Sequence, residues 1–348
     1  MILVFNVGSS SVKYKLFDKE KVVLSAYYEQ IYSTKIRMGV VQKIFYDIKK
    51  KNYSISKIGH RVVHGGSMKK SVRITKTIFS KLKKISELAP LHDIPELEVI
   101  SACAKHFSVP QIAVFDTAFH QTIPDFASAY GIPYALFEKG IKKYGFHGIS
   151  HKFVSKGIKG KVISCHLGSG CSVTAIKNGK SIDTSMGFTP LDGVLMSTRA
   201  GSLDPSIIPY LMRHEKMTPA QITHMLNNES GWYGVSGVSK DLRLVVKSKT
   251  KRAKLAIDMF VYRIATKIGS YVAALNGIDT IIFTGGIGER NAQLRKAILS
   301  QLTYLGVSID VTKNKKPTSR ISTSRSKVKV LVIPTNEELA IAQEVSTV

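Results

Sequence analysis

The sequence predicts a two-domain α/β protein, and three observations support this. The chain has 348 residues, which is long for one core and suits two domains. Short apolar runs typical of strands alternate throughout with segments whose apolar residues recur at helical spacing. A strand–turn–strand unit opens the chain, and a similar unit around residues 161–176 opens its second half. We therefore expect two similar α/β domains, each with a hairpin near its start.

The first half contains these signals in order. The apolar run at residues 2–5 leads through Gly8 and three serines into a second alternating run. Apolar residues at helical spacing predict helices over residues 38–51 and 95–107. A short buried strand over residues 111–115 ends at Asp116.

The second half repeats the alternation. Strands are predicted over residues 161–166, 172–176, 279–283 and 328–333, with a hairpin turn at Asn178-Gly179. Thr218-Pro219 with Gln221 is typical of a capped helix start. The long helix over residues 255–275 is apolar on much of its surface, which predicts a core or a subunit interface. Residues 312–326 are expected to form an exposed loop, and a last helix begins near residue 337.

Composition excludes several classes of protein. There are 51 Lys and Arg against 24 Asp and Glu, a formal net charge of +27, which raises the hypothesis of nucleic-acid binding. The basic residues are scattered and no zinc finger accompanies them, which favours a solvated surface. Three cysteines without metal-ligand spacing indicate a reducing cytoplasm and no structural disulfide. No apolar run reaches the length of a membrane span, and the start does not resemble a signal peptide.

Two glycine-rich turns have the chemistry of phosphate binding. Gly8 and the serines after Asn6 allow close approach of backbone N–H groups to an anion, and Lys13 adds a charge. The turn after the strand at residues 161–166 offers a second such cradle at residues 166–170. A simple hairpin is the alternative for either turn taken alone.

Charged side chains recur just after apolar runs, where α/β sheets build their sites. Arg61 and Arg199 lie among small residues, Asp116 ends a strand, and Glu337 follows the last strand. Each alone could be a surface ion pair or a helix cap. Together with two phosphate cradles they are the components of Mg²⁺-dependent phosphoryl transfer. His147 and His151 could form a metal pair, but an obvious third zinc ligand is missing.

These segments resemble the acetate kinase family, within the superfamily of acetate and sugar kinases and actin. The matching blocks follow the family's order and span nearly the whole chain: residues 6–13, 60–66, 116–124, 144–151, 166–172, 189–201, 238–243, 283–289 and 334–343. The resemblance implies two duplicated actin-like (ribonuclease H-like) α/β domains with an active-site cleft between them. It places the first domain at residues 1–119 plus a returning helix at 337–348, and the second at residues 120–336.

The resemblance also implies the reaction, in which ATP phosphorylates acetate directly and in line to give ADP and acetyl phosphate. Propionate or another short-chain carboxylate is an alternative acceptor, because one methylene changes preference by only ~1–3 kcal/mol. A nucleic-acid-binding protein on a degenerate kinase scaffold is the alternative from a different class. A cytoplasmic homodimer that does not bind membranes is expected, since relatives dimerise through the second domain.

Carried over position by position, the family's motifs assign roles to residues of this chain. Arg61 and Arg199 would clamp the carboxylate and the transferring phosphoryl group, and His147 would stabilise that group. Asn6 and Glu337 would form the Mg²⁺ site, with Mn²⁺ as an alternative ion. The acyl methyl group would lie among Val63, Leu91, Phe146 and Pro190. The nucleotide would be bound by Lys13, His166, Leu167, Gly168, Ser169, Gly170, Asp241, Leu242, Arg243, Gly286, Ile287, Gly288, Glu289 and Arg290.

Asp116 would be the family's essential acid or base, but a carboxylate acceptor is already ionised at neutral pH and needs no general base. We therefore expect Asp116 to orient Mg²⁺-bound waters or its Arg and His neighbours.

The chain also departs from the family pattern. Ser169 replaces a usual Asn, which predicts a weaker hold on phosphate. Arg290 replaces another Asn near the adenosine, and His92-Asp93-Ile94 replaces a usual His-Asn-Pro.

Overall fold

The computed structural model describes the chain apart from Ser9, Ala89, Pro317 and Thr318 and the side chains of Leu88, Pro90, Leu91 and His92. The strands are β1 (Ile2–Gly8), β2 (Ser11–Asp18), β3 (Lys21–Tyr28), β4 (Lys57–Val62), β5 (Val72–Arg73), β6 (Gln111–Phe115), β7 (Lys161–Leu167), β8 (Cys171–Lys177), β9 (Lys180–Thr184), β10 (Thr280–Thr284) and β11 (Lys329–Val332).

The helices are α1 (Thr34–Lys50), α2 (Lys76–Ile85), α3 (Pro90–His106), α4 (Asp125–Ser128), α5 (Tyr134–Glu138), α6 (Gly148–Ser155), α7 (Ile207–His214), α8 (Pro219–His224), α9 (Gly231–Ser236), α10 (Leu242–Lys247), α11 (Lys251–Leu275), α12 (Gly285–Arg290), α13 (Ala292–Ser300), α14 (Val311–Lys315) and α15 (Glu337–Thr347). Short 3₁₀ turns cover Ser86–Leu88, Ala118–Thr122 and Thr303–Leu305, and a π-helical turn covers Met225–Glu229.

Two mixed sheets share the same arrangement of five strands, and the first sheet has β5 as a sixth strand, antiparallel to β6. In the described residues the first sheet runs β3-β2-β1-β4-β6-β5 and the second runs β11-β10-β7-β8-β9. In each, an antiparallel three-stranded meander (β1 to β3, β7 to β9) is extended by two strands parallel to its first strand. This confirms the duplicated α/β fold that the sequence predicted.

The chain divides into two compact units. One comprises Met1–Gln121, Phe146–Phe153 and Asn336–Val348, and the other comprises Thr122–Gly145 and Val154–Thr335. Residues 146–153 belong to the first unit, although the sequence-based boundaries put them in the second domain. The reason is local packing, since Ile149 joins a buried cluster with Val4, Ile112 and Val114.

Both faces of the first sheet are covered. Leu3, Phe5 and Val7 alternate along β1 and contribute to a buried cluster that includes residues of α1 and α3. Val4 points to the opposite face, where Ile341 and Val345 of α15 contribute to a second buried cluster. The period of two along a strand produces this division, and it fixes α15 against the sheet.

In the second unit, α11 is buried along one side through Ala253, Ala256, Phe260 and Ile264, as the apolar pattern predicted. The capping box at Thr218 and Gln221 is present. The prediction of a loop over residues 312–326 is wrong at its start, where the chain forms α14. Asp310 begins this helix by accepting hydrogen bonds from the N–H groups of Thr312 and Lys313. Among the residues that the structure describes, no helix is both long and apolar enough to cross a bilayer.

Candidate functional site

Three polar side chains lie together at one edge of the first sheet. Asn6 is on β1, Arg61 is on β4, and Asp116 directly follows β6. These three strands are parallel to one another, so the two strand ends and Asn6 face the same edge. Open α/β sheets bind ligands at the carboxyl ends of their strands. The edge is therefore a candidate site by position as well as by residue type.

The guanidinium group of Arg61 donates hydrogen bonds to both Asp116 and Asn6. Its Nε and Nη2 donate to Asp116 Oδ2 at 3.1 and 2.5 Å, and its Nη1 donates to Asn6 Oδ1 at 3.2 Å. Glu337 Oε2 lies 4.0 Å from Arg61 Nε. Because the guanidinium is planar, bonds along two of its edges fix its orientation. The direction from which Arg61 can bind a further oxyanion is therefore fixed as well.

Burial and the charge of the partner shift the pKa values of Asp116 and Arg61 in opposite directions. Burial raises the pKa of Asp116, the Arg61 charge beside it lowers that pKa, and the Glu337 charge raises it. Together these effects raise the pKa of Asp116 to about 6. Burial also lowers the pKa of Arg61, but the charges of Asp116 and Glu337 outweigh burial and raise it above its ordinary value. Arg61 is therefore a permanent cation, while Asp116 takes up a proton in mildly acidic solution.

The start of α15 contributes two carboxylates. Asn6 Nδ2 donates to Glu337 Oε2 at 3.1 Å and to Glu338 Oε1 at 2.9 Å. Glu338 also pairs with Lys13 at 2.9 Å and Lys15 at 3.0 Å. Burial raises the pKa of Glu338, but Lys13, Asn6 and Lys15 outweigh burial and lower it. Lys13, which sequence analysis assigned to phosphate, thus has a carboxylate partner in its own unit.

Glu338 was missed at the sequence level as a site residue, although a signal was present. It lies three, four and seven positions before Ile341, Ala342 and Val345, which are the buried residues of α15. That spacing places Glu338 on the buried face of the helix, whereas Glu337 lies beside that face.

His147 precedes α6 with a left-handed backbone, at a φ of 57°. Such a conformation is uncommon for a residue other than glycine and occurs often at functional sites. The next residue, Gly148, donates from its N–H to the Asp116 carbonyl at 2.9 Å. A Cβ at residue 148 would lie 2.1 Å from that oxygen, so only glycine fits. This contact fixes the backbone beside His147 against the backbone of Asp116.

Two of the apolar residues that sequence analysis assigned to the acyl pocket are buried in the first unit. Val63 and Phe146 are 3% and 1% exposed. The Phe146 ring meets the ring of His64 at a centroid distance of 5.6 Å, and its carbonyl lies 3.0 Å from His120 Nε2. The side chain of Leu91 lies outside the described residues. The fourth residue, Pro190, belongs to the second unit.

In the second unit, the turn between β7 and β8 is joined to the segment that contains Arg199. Gly168 N–H donates to the Gly170 carbonyl at 3.0 Å, and Ser197 N–H donates to the Ser169 carbonyl at 3.0 Å. Arg199 Nη1 donates to the Pro190 carbonyl at 3.2 Å. The structure thus connects the predicted phosphate loop with the Arg199 segment. The Ser169 side chain is exposed, whereas Leu167 is buried.

The segment around Asp241 is attached to the same region. The Lys240 carbonyl accepts from Ser197 Oγ at 2.8 Å and from Trp232 Nε1 at 3.1 Å. Asp241 caps α10 and binds the Arg243 guanidinium through both carboxylate oxygens, and this pairing lowers the pKa of Asp241. Leu242 is buried. Of Asp241, Leu242 and Arg243, which are all predicted to hold adenosine, Arg243 has the most exposed side chain.

Helix α12 directly follows β10 and begins beside the end of β7, because Thr284 pairs with His166. A Cβ at Gly285 would lie 2.7 Å from the Leu167 carbonyl. The Glu289 carboxylate accepts from the N–H groups of Gly285 at 3.0 Å and Thr335 at 3.1 Å, so it fixes local backbone. Arg290 Nε donates to the Gly286 carbonyl at 3.3 Å, which places the guanidinium over that glycine.

Oxygen donors dominate the first-unit site. Asn6, Asp116 and Glu337 offer amide and carboxylate oxygens, the ligands that Mg²⁺ prefers. Within the described part of the chain, no group of three His, Cys, Asp or Glu side chains is arranged as a metal centre. The oxygen donors of Asn6, Asp116 and Glu337 fit Mg²⁺ by their chemistry, and they differ from the nitrogen and sulfur donors of a zinc site.

Comparison with known proteins identifies the family of the chain. The model of the acetokinase family matches residues 36–343. The chain belongs to the acetokinase family. Membership makes it a kinase, and hence a transferase, with the fold of that family.

Two relatives illustrate the extent of the similarity. The chain is 44% identical to the acetate kinase of Thermoanaerobacterium thermosaccharolyticum, over 99% of this chain and 97% of the relative. It is 44% identical to the acetate kinase of Methanosarcina acetivorans, over 99% of this chain and 95% of the relative.

Solved structures give the same result. A propionate kinase from Francisella tularensis is 42% identical, with a TM-score of 0.92 over 100% of this chain and 99% of the other. The acetate kinase of Porphyromonas gingivalis is 36% identical, with a TM-score of 0.88 over 99% of this chain and 98% of the other.

Proposed function

We propose that this acetokinase-family protein is an acetate kinase, which transfers the γ-phosphoryl group of ATP reversibly to acetate and forms ADP and acetyl phosphate. The observation that carries the proposal is the Arg61 guanidinium, oriented by Asp116 and Asn6 at the strand ends of the first sheet. A largely desolvated, permanently charged fork suits a small carboxylate that must be held in one direction.

The acceptor needs positioning more than activation. A carboxylate is ionised at neutral pH, so no proton has to be removed before it attacks. Arg61 binds its oxygens, and Val63 and Phe146, which are buried in the same unit, contact its methyl group. Arg199 and His147 stabilise the charge that spreads over the equatorial oxygens of the transferring phosphoryl group. Asp116 acts by holding Arg61, which matches the two hydrogen bonds between them.

The nucleotide is bound by residues of the second unit in this proposal. The turn at His166, Leu167, Gly168, Ser169 and Gly170 holds the β- and γ-phosphates, with Lys13 contributing charge. Asp241, Leu242, Arg243, Gly286, Ile287, Gly288, Glu289 and Arg290 hold the adenosine. The close packing of Gly285 on the Leu167 carbonyl supports this assignment, because it brings the start of α12 into contact with the end of β7.

Mg²⁺ is the proposed metal, with Mn²⁺ as an alternative. Asn6 and Glu337 hold it, mainly through water, and Asp116 helps to order those waters. The ion neutralises phosphate charge when it is bound with the nucleotide. The oxygen-only donor set described above supports this choice.

Propionate is the second candidate acceptor, and one observation favours it. The Francisella tularensis propionate kinase matches this chain at 42% identity across nearly its whole length. One methylene in an apolar pocket is worth only ~1–3 kcal/mol, so related sites accept either acid.

One experiment tests the reaction and ranks the acceptors. The protein is incubated with ATP, Mg²⁺ and formate, acetate, propionate or butyrate, and any acyl phosphate is trapped with hydroxylamine as its hydroxamate. We expect the largest kcat/KM with acetate and greatly reduced product from the Arg61→Ala variant. No hydroxamate with any acid would refute the kinase proposal, and a larger kcat/KM with propionate would select the alternative.

We further propose a cytoplasmic homodimer. All three cysteines are buried thiols, which suits a reducing compartment.

Helix α7 exposes Ile207, Ile208, Tyr210 and Met212, and α11 exposes Tyr262. A group of exposed apolar side chains is typical of a subunit interface. Sedimentation should give twice the chain mass, and Tyr210→Glu with Tyr262→Glu should give the monomer.

A further inference from the structure

Two buried carboxylic acids of α3 lie next to the acceptor segment without belonging to the Arg61 hydrogen-bond network. Asp93 and Glu96 are 2% and 1% exposed. They are three residues apart in a helix, so they share one face. Buried carboxyl groups are rare unless they are paired, and neither has a role in the proposed reaction.

Both acids hold the backbone that follows Arg61. Glu96 Oε2 accepts from the Val63 N–H at 3.0 Å, and Asp93 Oδ1 accepts from the His64 N–H at 3.2 Å. The next residue, Gly65, donates to Thr117 Oγ1 at 3.1 Å, and a Cβ there would lie 2.5 Å from the Phe115 ring. The segment at residues 63–65 is therefore fixed on one side by α3 and on the other by the end of β6.

The second oxygens of the two acids need a proton between them. Asp93 Oδ2 and Glu96 Oε1 are buried and find no donor among the described residues, while the two carboxyl groups interact through a side-chain hydrogen bond. Two carboxylates at one buried site cannot both be ionised without a large cost. One shared proton satisfies both oxygens and leaves the pair with a single negative charge.

The charges that face the pair come from the site itself. Arg61 on β4 and Asp116 after β6 act on both acids. His64 is neutral, because burial lowers its pKa to about 4. Arg37 of α1 pairs with Glu98, and the lysines of α2 are exposed. Burial raises the pKa of Asp93 to about 7 and that of Glu96 well above its usual value.

We propose that Asp93 and Glu96 are positioning residues, which hold the Val63–His64 backbone through one shared proton and so set the acceptor-binding geometry of Arg61 and Val63. This deepens the proposed function and rests on it for the location of the acceptor. When the proton is lost, two buried negative charges repel each other and the segment loosens. Affinity for the carboxylate then falls with rising pH, while affinity for the nucleotide does not.

Asp93→Asn tests the proton directly, because an amide N–H can donate to Glu96 at every pH. In the wild-type protein we expect the acetate KM to rise several-fold from about pH 6 to about pH 8.5, across the range in which the pair ionises. The Asp93→Asn variant should lose this rise, and the KM for ATP should have the same pH profile in both. Glu96→Gln is the second variant, and Glu87→Gln, at an exposed position in the turn before α3, is the matched control.

Hydrogen exchange provides a readout that does not depend on turnover. After correction for intrinsic rates, the amides of Val63 and His64 should exchange faster above neutral pH in the wild type and in Glu87→Gln, but not in Asp93→Asn. The proposal would be overturned if these amides exchanged at the same rate in the wild type, Asp93→Asn and Glu87→Gln at every pH. It would also be overturned if Asp93→Asn altered the exchange but left the pH profile of the acetate KM unchanged. If no acid gives hydroxamate, the proposed function fails, whereas the exchange result still decides whether the proton holds the segment.

Discussion

Arg61 shows how little a single residue reveals in isolation and how much its contacts add. In the sequence it is one of 51 basic residues, and an exposed ion pair is the usual role of such a side chain. In the fold it lies at a strand end with 15% of its side chain exposed, and its Nη2 is 2.5 Å from Asp116 Oδ2. A desolvated, oriented cation binds an anionic acceptor more strongly than a solvated cation does.

Asp116→Asn is expected to lower kcat/KM for acetate by about 10²-fold or more, because a preorganised cation loses the carboxylate that orients it. Raised Mg²⁺ should restore part of the activity, since the same carboxylate helps to order the waters of the ion. The measurement is a steady-state titration of acetate and Mg²⁺ with the variant.

The exposed Asp18→Asn variant is the control and should behave as wild type. Full activity in Asp116→Asn, or a Mg²⁺ dependence identical to that of the wild type, would contradict the role given to Asp116. Wild-type activity should also fall as pH drops through about 6, where Asp116 takes up its proton.

Ser169→Asn is expected to lower the KM for ATP. Ser169 is exposed in the turn between β7 and β8, and its hydroxyl has a shorter reach than an amide. One additional hydrogen bond contributes ~0.5–1.5 kcal/mol, or roughly twofold to tenfold in affinity. Ser169→Ala is the opposite test and should raise the KM for ATP, with the KM for acetate unchanged in both variants. An unchanged or raised KM for ATP in Ser169→Asn would separate this turn from phosphate binding.

At the scale of elements, the contact of α15 with β4 decides where Glu337 and Glu338 lie. Gly59 on β4 permits this contact, since a Cβ there would lie 2.7 Å from Val345 Cγ2 and 2.8 Å from Ile341 Cγ2. The side chains of α15 therefore pack directly on the main chain of Gly59. Any side chain at residue 59 must displace α15, and with it the carboxylates that contact Asn6.

Gly59→Ala is expected to lower the free energy of unfolding by ~1–3 kcal/mol, which is the usual cost of overpacking, and to lower kcat as α15 shifts. Thermal or urea unfolding and steady-state kinetics measure the two effects. The matched control is Gly39→Ala in α1, where a Cβ would meet nothing within 4 Å. This control should stabilise the protein by ~0.5–1 kcal/mol. Equal effects at residues 59 and 39 would show that α15 does not rest on Gly59.

At the scale of the whole molecule, buried titratable groups determine how stability depends on pH. Folding raises the pKa of Asp93 from 3.8 to about 7 and raises that of Glu96 well above 4.5. In that range the folded chain holds protons that the unfolded chain has released, so stability falls as pH rises. Burial lowers the pKa of His60 and His64 from 6.5 to about 4. These two groups make stability increase with pH, but only up to about pH 6.5.

Stability is therefore expected to decrease as pH rises above about 6.5, where only the buried acids still contribute. Thermal unfolding at constant ionic strength from about pH 6.5 to about pH 8.5 measures this slope. The Asp93→Asn variant should have a flatter profile than the wild type, because an amide does not titrate. A midpoint that rises with pH over this range in the wild type would contradict the assignment.

The sequence was sufficient for features that depend on local pattern. The strand over Gln111–Phe115, the capped start of α8 and the end of α11 at Leu275 lie where periodicity and capping residues predict them. The start of α14 was not predicted, because Asp310 is one of many polar residues in a basic, Ser- and Thr-rich stretch. Its helix depends on the buried side chain of Asn314, which binds Arg295 from α13.

Residue type and position at strand ends were enough to select Arg61, Asp116 and Glu337 as candidates, and the family resemblance added Asn6. They were not enough to show that Arg61 shares hydrogen bonds with Asp116 and Asn6, that Lys13 pairs with Glu338, or that Asp93 and Glu96 hold the Val63–His64 backbone. Local periodicity is determined by the order of residues, so the sequence by itself determined the duplicated α/β fold and the edge where the site lies. Hydrogen bonds and pKa shifts depend on side chains that are distant in sequence and desolvated together, so only the tertiary structure decided which charges are neutralised, which are shared and which remain for a substrate.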